Sequence, residues 1–163
     1  MIDCSKSGTF VDKLEIVEPK VSNTKSFLYT ANGCNGGNSD AAFQFAKYNT
    51  IQSLANYPFM NAAGSCKSGP NYSYLTNGLT VGFTHIYPSG DEKVLLKALA
   101  KIGPLAAAMD SSKLQFYSSG IYSNPICDTI DHSVLIVGYG SDGPDKDFYI
   151  VKYEMIIKIF KKN

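Results

Sequence analysis

Excess charge of either sign is missing from this sequence: 15 basic and 14 acidic residues leave a formal net charge of +1. That balance gives no electrostatic reason to expect nucleic acid or an anionic membrane as partner. Long apolar runs are missing too, and none approaches the roughly 18 residues of a membrane-spanning helix. The first ten residues, MIDCSKSGTF, contain no apolar h-region, so no signal peptide is expected in this chain. No internal repeat or low-complexity tract occurs. The four cysteines, Cys4, Cys34, Cys66 and Cys127, are far apart, without the CxxC spacing of a zinc site or redox dithiol. No metal and no cofactor is expected.

What is present suits a compact unit. With 163 residues, 44% of them hydrophobic, the chain can build one large domain or two small ones. Dispersed cysteines and the glycosylation sequon NYS, Asn71 to Ser73, both hint at an oxidising compartment.

Local patterns divide the chain in two. Residues 10–32 have no clear period and read as an irregular insertion. GCNGGNSDAAFQFAKYN predicts a helix capped by Ser39 or Asp40, with Ala42, Phe43, Phe45 and Ala46 as its apolar face. Residues 50–80, rich in Tyr, Asn, Gly and Ser, read as loop and turn. SGDEKVLLKALAKIG predicts the strongest helix. Ser89 and Glu92 fit a capping box, Leu95, Leu99 and Ile102 form a stripe, and Gly103 and Pro104 end it. PLAAAMD, HSVLIVGYG and FYIVKY read as strands, the last two as antiparallel partners. A helical, loop-rich first part followed by strands is an α+β arrangement, with a boundary near Val81.

One stretch raises a chemical question. IDHSVLIVGYG puts Asp131 and His132, one of only two histidines, directly before a buried strand. IDCS, GCNGG, YPF, IGPLAAAMD, LQFYSSGIY, DHSVLIVGYG and FYIVK occur in the order found in papain-family cysteine peptidases. The sequence most resembles the cathepsin L branch, over residues 1–9 and 33–152. The resemblance implies a partial papain-like fold: residues 1–80 as the second half of the helical left domain, and 81–163 as most of the β-rich right domain.

Its chemistry gives His132 a role. In the family a cysteine thiolate attacks the peptide carbonyl, beside a histidine that lowers the thiol pKa and later protonates the leaving amine. His132 occupies the matching position. Asp131 reads as a structural or pH-tuning neighbour, and His85, with no motif around it, as a surface or turn residue. The resemblance also makes Gly36 and Gly37 cleft residues that hydrogen-bond an extended peptide through their backbone. A tight turn into the next helix is their alternative role, and both can hold together. An apolar S2 pocket would draw on Ala108 and Ile130, with Asn38 and Ser39 at its rim. Cys4 would pair with Cys66, whereas the family partners of Cys34 and Cys127 are not in this sequence.

Other parts of the pattern are absent. No position reads CGSCW, the family's nucleophile motif, and the oxyanion-hole glutamine is missing with it. The family continues VK into NSWG, whereas here VK continues into YEMIIKIFKKN, which puts Tyr153 where the orienting asparagine belongs. Cys34 lacks the helix N-terminus of a nucleophile. The chain therefore reads as truncated at both ends. Residues 10–32 and 153–163 resemble translated non-homologous sequence or a gene-model error, or else a lineage-specific loop and tail. EMIIKIFKK is too short to argue as an amphipathic or membrane-surface segment.

The resemblance implies a cathepsin L-like endopeptidase, lysosomal or extracellular, acting on peptides and proteins, with this polypeptide alone inactive. A missing N-terminal segment of the same gene would then be a partner. The alternatives are a non-catalytic papain-like protein that binds peptides, and a non-functional fragment.

Overall fold

The computed structural model describes residues 4, 8–13, 24–49, 51–67, 83–144, 146–153 and 156–161. The NYS sequon and the boundary expected near Val81 lie outside them. The chain divides into two compact units between His85 and Ile86.

In the first unit, β1 (Gly8–Lys13) and β2 (Thr24–Tyr29) pair antiparallel, from Gly8 opposite Tyr29 to Lys13 opposite Thr24. Within the segment read as irregular, residues 10–13 and 24–29 are therefore strand. Thr9 and Phe10 lie opposite Leu28 and Phe27 in that register, and such residues favour strands. Each run is too short to show a period by itself.

Helix α1 (Ser39–Tyr48) starts one residue earlier than expected, with Asn38 as the cap. The Asn38 side-chain oxygen accepts the N–H of Ala41 at 3.3 Å and that of Thr30 at 3.1 Å. With the cap supplied by Asn38, the Asp40 carboxylate turns to a different partner and lies 3.1 Å from His85 Nε2. Phe83 stacks on Phe43 with ring centroids 5.4 Å apart. His85 is thus half-buried and anchored to the helix, not the surface or turn residue that its lack of a motif suggested. A disulfide joins Cys4 to Cys66, their Cα atoms 4.8 Å apart, while Cys34 and Cys127 are exposed and free.

The second unit is built from helix α2 (Glu92–Ile102) and a five-stranded sheet. Asp91, not Ser89, caps α2, accepting the N–H groups of Lys93 at 2.9 Å and Val94 at 3.1 Å. Gly90, at φ +84°, turns the chain after Ser89 and brings the charged Asp91 to the helix N-terminus, where the macrodipole favours an anion. Gly103 closes the helix as expected, donating its N–H to Leu99 O at 3.1 Å.

The sheet contains β3 (Leu105–Met109), β4 (Ile121–Tyr122), β5 (His132–Ser141), β6 (Asp147–Tyr153) and β7 (Ile156–Lys161), in the order β3-β5-β6-β7-β4. Only β4 and β7 run parallel. The tail forms strand β7, which pairs with β6 from Tyr153 opposite Ile156 to Phe148 opposite Lys161. Its Ile and Phe residues suit a strand as well as an amphipathic helix, and the neighbouring edge of β6 decides between them.

Leu99 on α2 packs with Leu105, Ile136, Tyr149 and Val151 from three strands, flanked by Leu95, Leu96, Ala107 and Val134. Burying one such aliphatic side chain contributes about 1.5–3 kcal/mol. Ile102, expected in the helix stripe, is 69% exposed, because the chain reverses at Gly103 immediately after it.

Tyr149 carries an unusual burden in that core. Its hydroxyl is buried with no hydrogen-bond partner. Burial, with the charges of Glu92 and Asp147, pushes its pKa up to about 12. An ordinary tyrosine ionises near pH ~10, so the folded state resists deprotonation that the unfolded state allows. This contribution is complete below pH ~10 and is lost as pH rises through the folded value. Tyr149→Phe removes both the alkaline loss and the unsatisfied hydroxyl. Thermal unfolding should show a gain on the order of 1 kcal/mol at neutral pH and a larger gain at pH ~11. A destabilised variant at neutral pH would contradict this account.

Candidate active site

The GCNGG segment forms a 3₁₀ turn, Gly33–Asn35, enclosed by backbone bonds. Asn32 N–H reaches Gly36 O, and Asn38 N–H reaches Thr30 O, both at 2.9 Å. Gly36 has φ +107°, a region that side chains avoid, whereas Gly37 is required by proximity. A Cβ on Gly37 would sit 2.9 Å from Thr30 O and 3.3 Å from Ala31 Cα, across the bridge that links Ala31 to Gly37. Both glycines are exposed. Gly37→Ala should therefore break this bridge, and amide exchange at Asn38 should accelerate. Gly36→Ala, which meets no atom, should cost only the conformational strain of about 1–2 kcal/mol. Equal protection of Asn38 in wild type and Gly37→Ala would contradict the crowding argument.

Asn38 and Ser39, expected at a pocket rim, have prior structural duties. The Asn38 amide oxygen caps α1, and Ser39 is its first residue. Cys34 lies in the middle of the single 3₁₀ turn, exposed and unbonded. No α-helix starts at it.

In the second unit His132 is the first residue of β5, opposite Met109 at the end of β3. Ala108 is opposite Ser133. Strand alternation then sorts the side chains. His132 shares a face with Val134 and Ile136, which pack toward the core, and it is half-buried at the end of that row. Ala108, Ser133 and Leu135 share the opposite, exposed face. Ile130 is 60% exposed just before the strand. The structure thus brings His132, Ala108 and Ile130 to one end of the β3–β5 pair, with Ala108 on the other side of the pleat from His132. Gly36 and Gly37 belong to the first unit. Sequence reasoning missed Ser133, which becomes visible once Ala108 is assigned a cross-strand partner.

Carboxylates hold the approach to His132. The exposed Asp131 accepts Ser111 N–H at 2.8 Å and donates its own N–H to Met109 O at 3.2 Å. Asp110 is buried, and its two oxygens accept Ser112 N–H at 2.8 Å and Asp128 N–H at 3.2 Å. Hydrogen bonds from Ser112, then from Asp128 and Thr129, hold its pKa below the ordinary carboxylate value against the opposing effect of burial. Tyr153 ends β6 at the same end of the sheet where β5 begins, since Leu135 is already opposite Lys152. A cavity of about 330 Å³ lies at the other end of β5, between Leu96, Tyr139, Ser141 and Phe148, and contains none of the expected site residues.

A half-exposed imidazole on a fixed strand can donate or accept a proton. Acyl transfer also needs a nucleophile beside it.

Comparison with known proteins gives this arrangement its family. The model of the papain family cysteine protease matches residues 3–154. Cathepsin L1 of Drosophila melanogaster is 43% identical over 133 residues, covering 78% of this chain and 34% of that protein. Procathepsin L of Rattus norvegicus is 44% identical over 128 residues, covering 74% and 37%. Digestive procathepsin L 3 of Tenebrio molitor superposes with a TM-score of 0.66 at 32% identity, over 82% of this chain and 45% of the other. The bromelain protease of Ananas comosus, solved with the E64 inhibitor, gives 0.67 at 30% identity, over 81% and 63%. The chain thus spans little more than a third of the length of these curated relatives. The fold is the α+β, partial papain-like one that the motifs implied, and the chain belongs to the papain family of cysteine proteases.

Proposed function

We propose that this chain carries the acid–base part of a cathepsin L-like cysteine endopeptidase site. The supporting observation is His132, half-exposed as the first residue of β5, in a chain 43% identical to a cathepsin L. In this reading a thiolate from a CGSCW-type segment attacks the peptide carbonyl. His132 holds the thiol proton and passes it to the leaving amine. Gly36 and Gly37 offer backbone groups to an extended peptide, and Ala108 and Ile130 contribute an apolar wall for the P2 side chain. Substrates are peptides and proteins, with neither nucleic acid nor membrane as partner. The Cys4–Cys66 disulfide supports a lysosomal or extracellular location.

A second reading is non-catalytic peptide binding, favoured by two exposed glycines in a sequence without a CGSCW motif. One experiment separates the two. A peptidyl electrophile directed at thiols is applied to this chain joined to a CGSCW-containing segment, with and without His132→Ala. His132-dependent labelling and hydrolysis support the peptidase. Reversible peptide binding with no labelling supports the binding protein.

A further inference from the structure

We infer that Asp110 is a positioning residue for His132: its buried carboxylate ties the turn after β3 to the segment from which His132 emerges. The inference rests on reading His132 as the acid–base group. Residues 125–131, immediately before β5, are all exposed, so no packed apolar side chain anchors them. Hydrogen bonds hold them to the turn after β3 instead. Asp131 fastens the residue next to His132, through Ser111 N–H and Met109 O. Asp110 fastens the chain four residues upstream of His132, and its carboxylate holds two segments at once. One oxygen accepts Ser112 N–H at 2.8 Å within its own turn, and the other accepts Asp128 N–H at 3.2 Å across the loop.

At 6% exposure, Asp110 is the one buried charged side chain among the described residues. A buried carboxylate is costly unless its oxygens are satisfied, so the charge and the loop conformation depend on each other. Its lowered pKa agrees with a carboxylate held by N–H donors. Removing the cross-loop bond shifts the burden of holding segment 128–131 onto the Asp131 contacts. The orientation of the imidazole then loses a fixed base.

Asp110→Asn dissects the two bonds, since an amide keeps one acceptor oxygen and offers an NH₂ group in place of the other. In the full 163-residue chain, the Ser112 amide should keep its protection. The Asp128 amide should exchange about tenfold faster, as expected for a lost hydrogen bond to a charged group. The ring resonances of His132 should shift or split, while those of His85, in the other compact unit, stay in place and serve as the control. Unchanged Asp128 exchange and an unchanged His132 ring would overturn the inference. So would a uniform loss of protection that includes Val151 and His85, because that is global destabilisation. In the chain joined to a CGSCW-type segment, Asp110→Asn should lower kcat about tenfold with KM little changed. An active wild-type fusion indifferent to Asp110→Asn would refute positioning. An inactive wild-type fusion would refute the peptidase reading, with the exchange and resonance results still deciding the role of Asp110.

Discussion

The 163-residue chain alone should hydrolyse peptides no faster than background, and a peptidyl thiol-directed probe should label none of its cysteines in a His132-dependent manner. An imidazole without a neighbouring thiolate offers water only weak general-base assistance. Removing the nucleophile from a triad leaves at best roughly 10³ to 10⁴-fold acceleration from the oxyanion hole and substrate binding. The glutamine of that hole is also absent from this sequence. Cys34 cannot compensate, since it lies in a lone 3₁₀ turn with no helix N-terminus to stabilise a thiolate. Joining a CGSCW-containing segment should restore the attacking group. Tyr153→Asn should then add activity by supplying an amide for the His132 ring. That single change is preferable to replacing the whole tail, because β7 pairs with β6 along six residue pairs. His132-dependent turnover by the unmodified chain would refute this account and make Cys34 the nucleophile.

The parts of the fold that were legible in the sequence share one physical property: they carry their own periodicity. Leu95, Leu96 and Leu99 recur at helical spacing, and HSVLIVGYG is long and apolar enough to need no partner to be recognised as a strand. The β1–β2 pair and β7 were not legible, because their short apolar runs become strands only beside an edge that offers hydrogen bonds. Both N-caps were misplaced for a related reason. Asn38 and Asp91 compete with neighbouring polar residues, and backbone geometry outside the helix decides the outcome. Within the candidate site, His132 at the strand start could be read from its motif. Asp40 and His85 are 45 residues apart, and no local pattern links them. Ser133 and Asp110 likewise emerge only from register and burial. The Cys4–Cys66 pairing came from family resemblance alone, since spacing among four cysteines leaves three connectivities open.

Reduction of Cys4–Cys66 should open the first unit while leaving the second folded. The described residues of the two units show different contacts. Every member of the buried cluster around Leu99 belongs to the second unit. In the first, Ala41 is the one buried hydrophobic residue among the described residues. Among its described residues, hydrogen bonds, the Asp40–His85 contact, the Phe43–Phe83 stack and the disulfide tie that unit together. The bond closes a sequence separation of 62 residues. The chain-entropy estimate for a loop of that size is about 4 kcal/mol, against a total stability of about 5–15 kcal/mol for an ordinary domain. A loss of that size is a large share of such a total, so reduction should strongly destabilise the first unit. Amide exchange under a mild thiol reductant should therefore rise across α1 and the Gly33–Asn35 turn, with Ile136 and Val151 still protected. The Cys4→Ser, Cys66→Ser double variant should reproduce this pattern without reductant, which excludes an effect through the free thiols of Cys34 and Cys127. Unchanged protection of α1 in both experiments would show that the hydrogen-bonded framework, and not the disulfide, sustains the first unit.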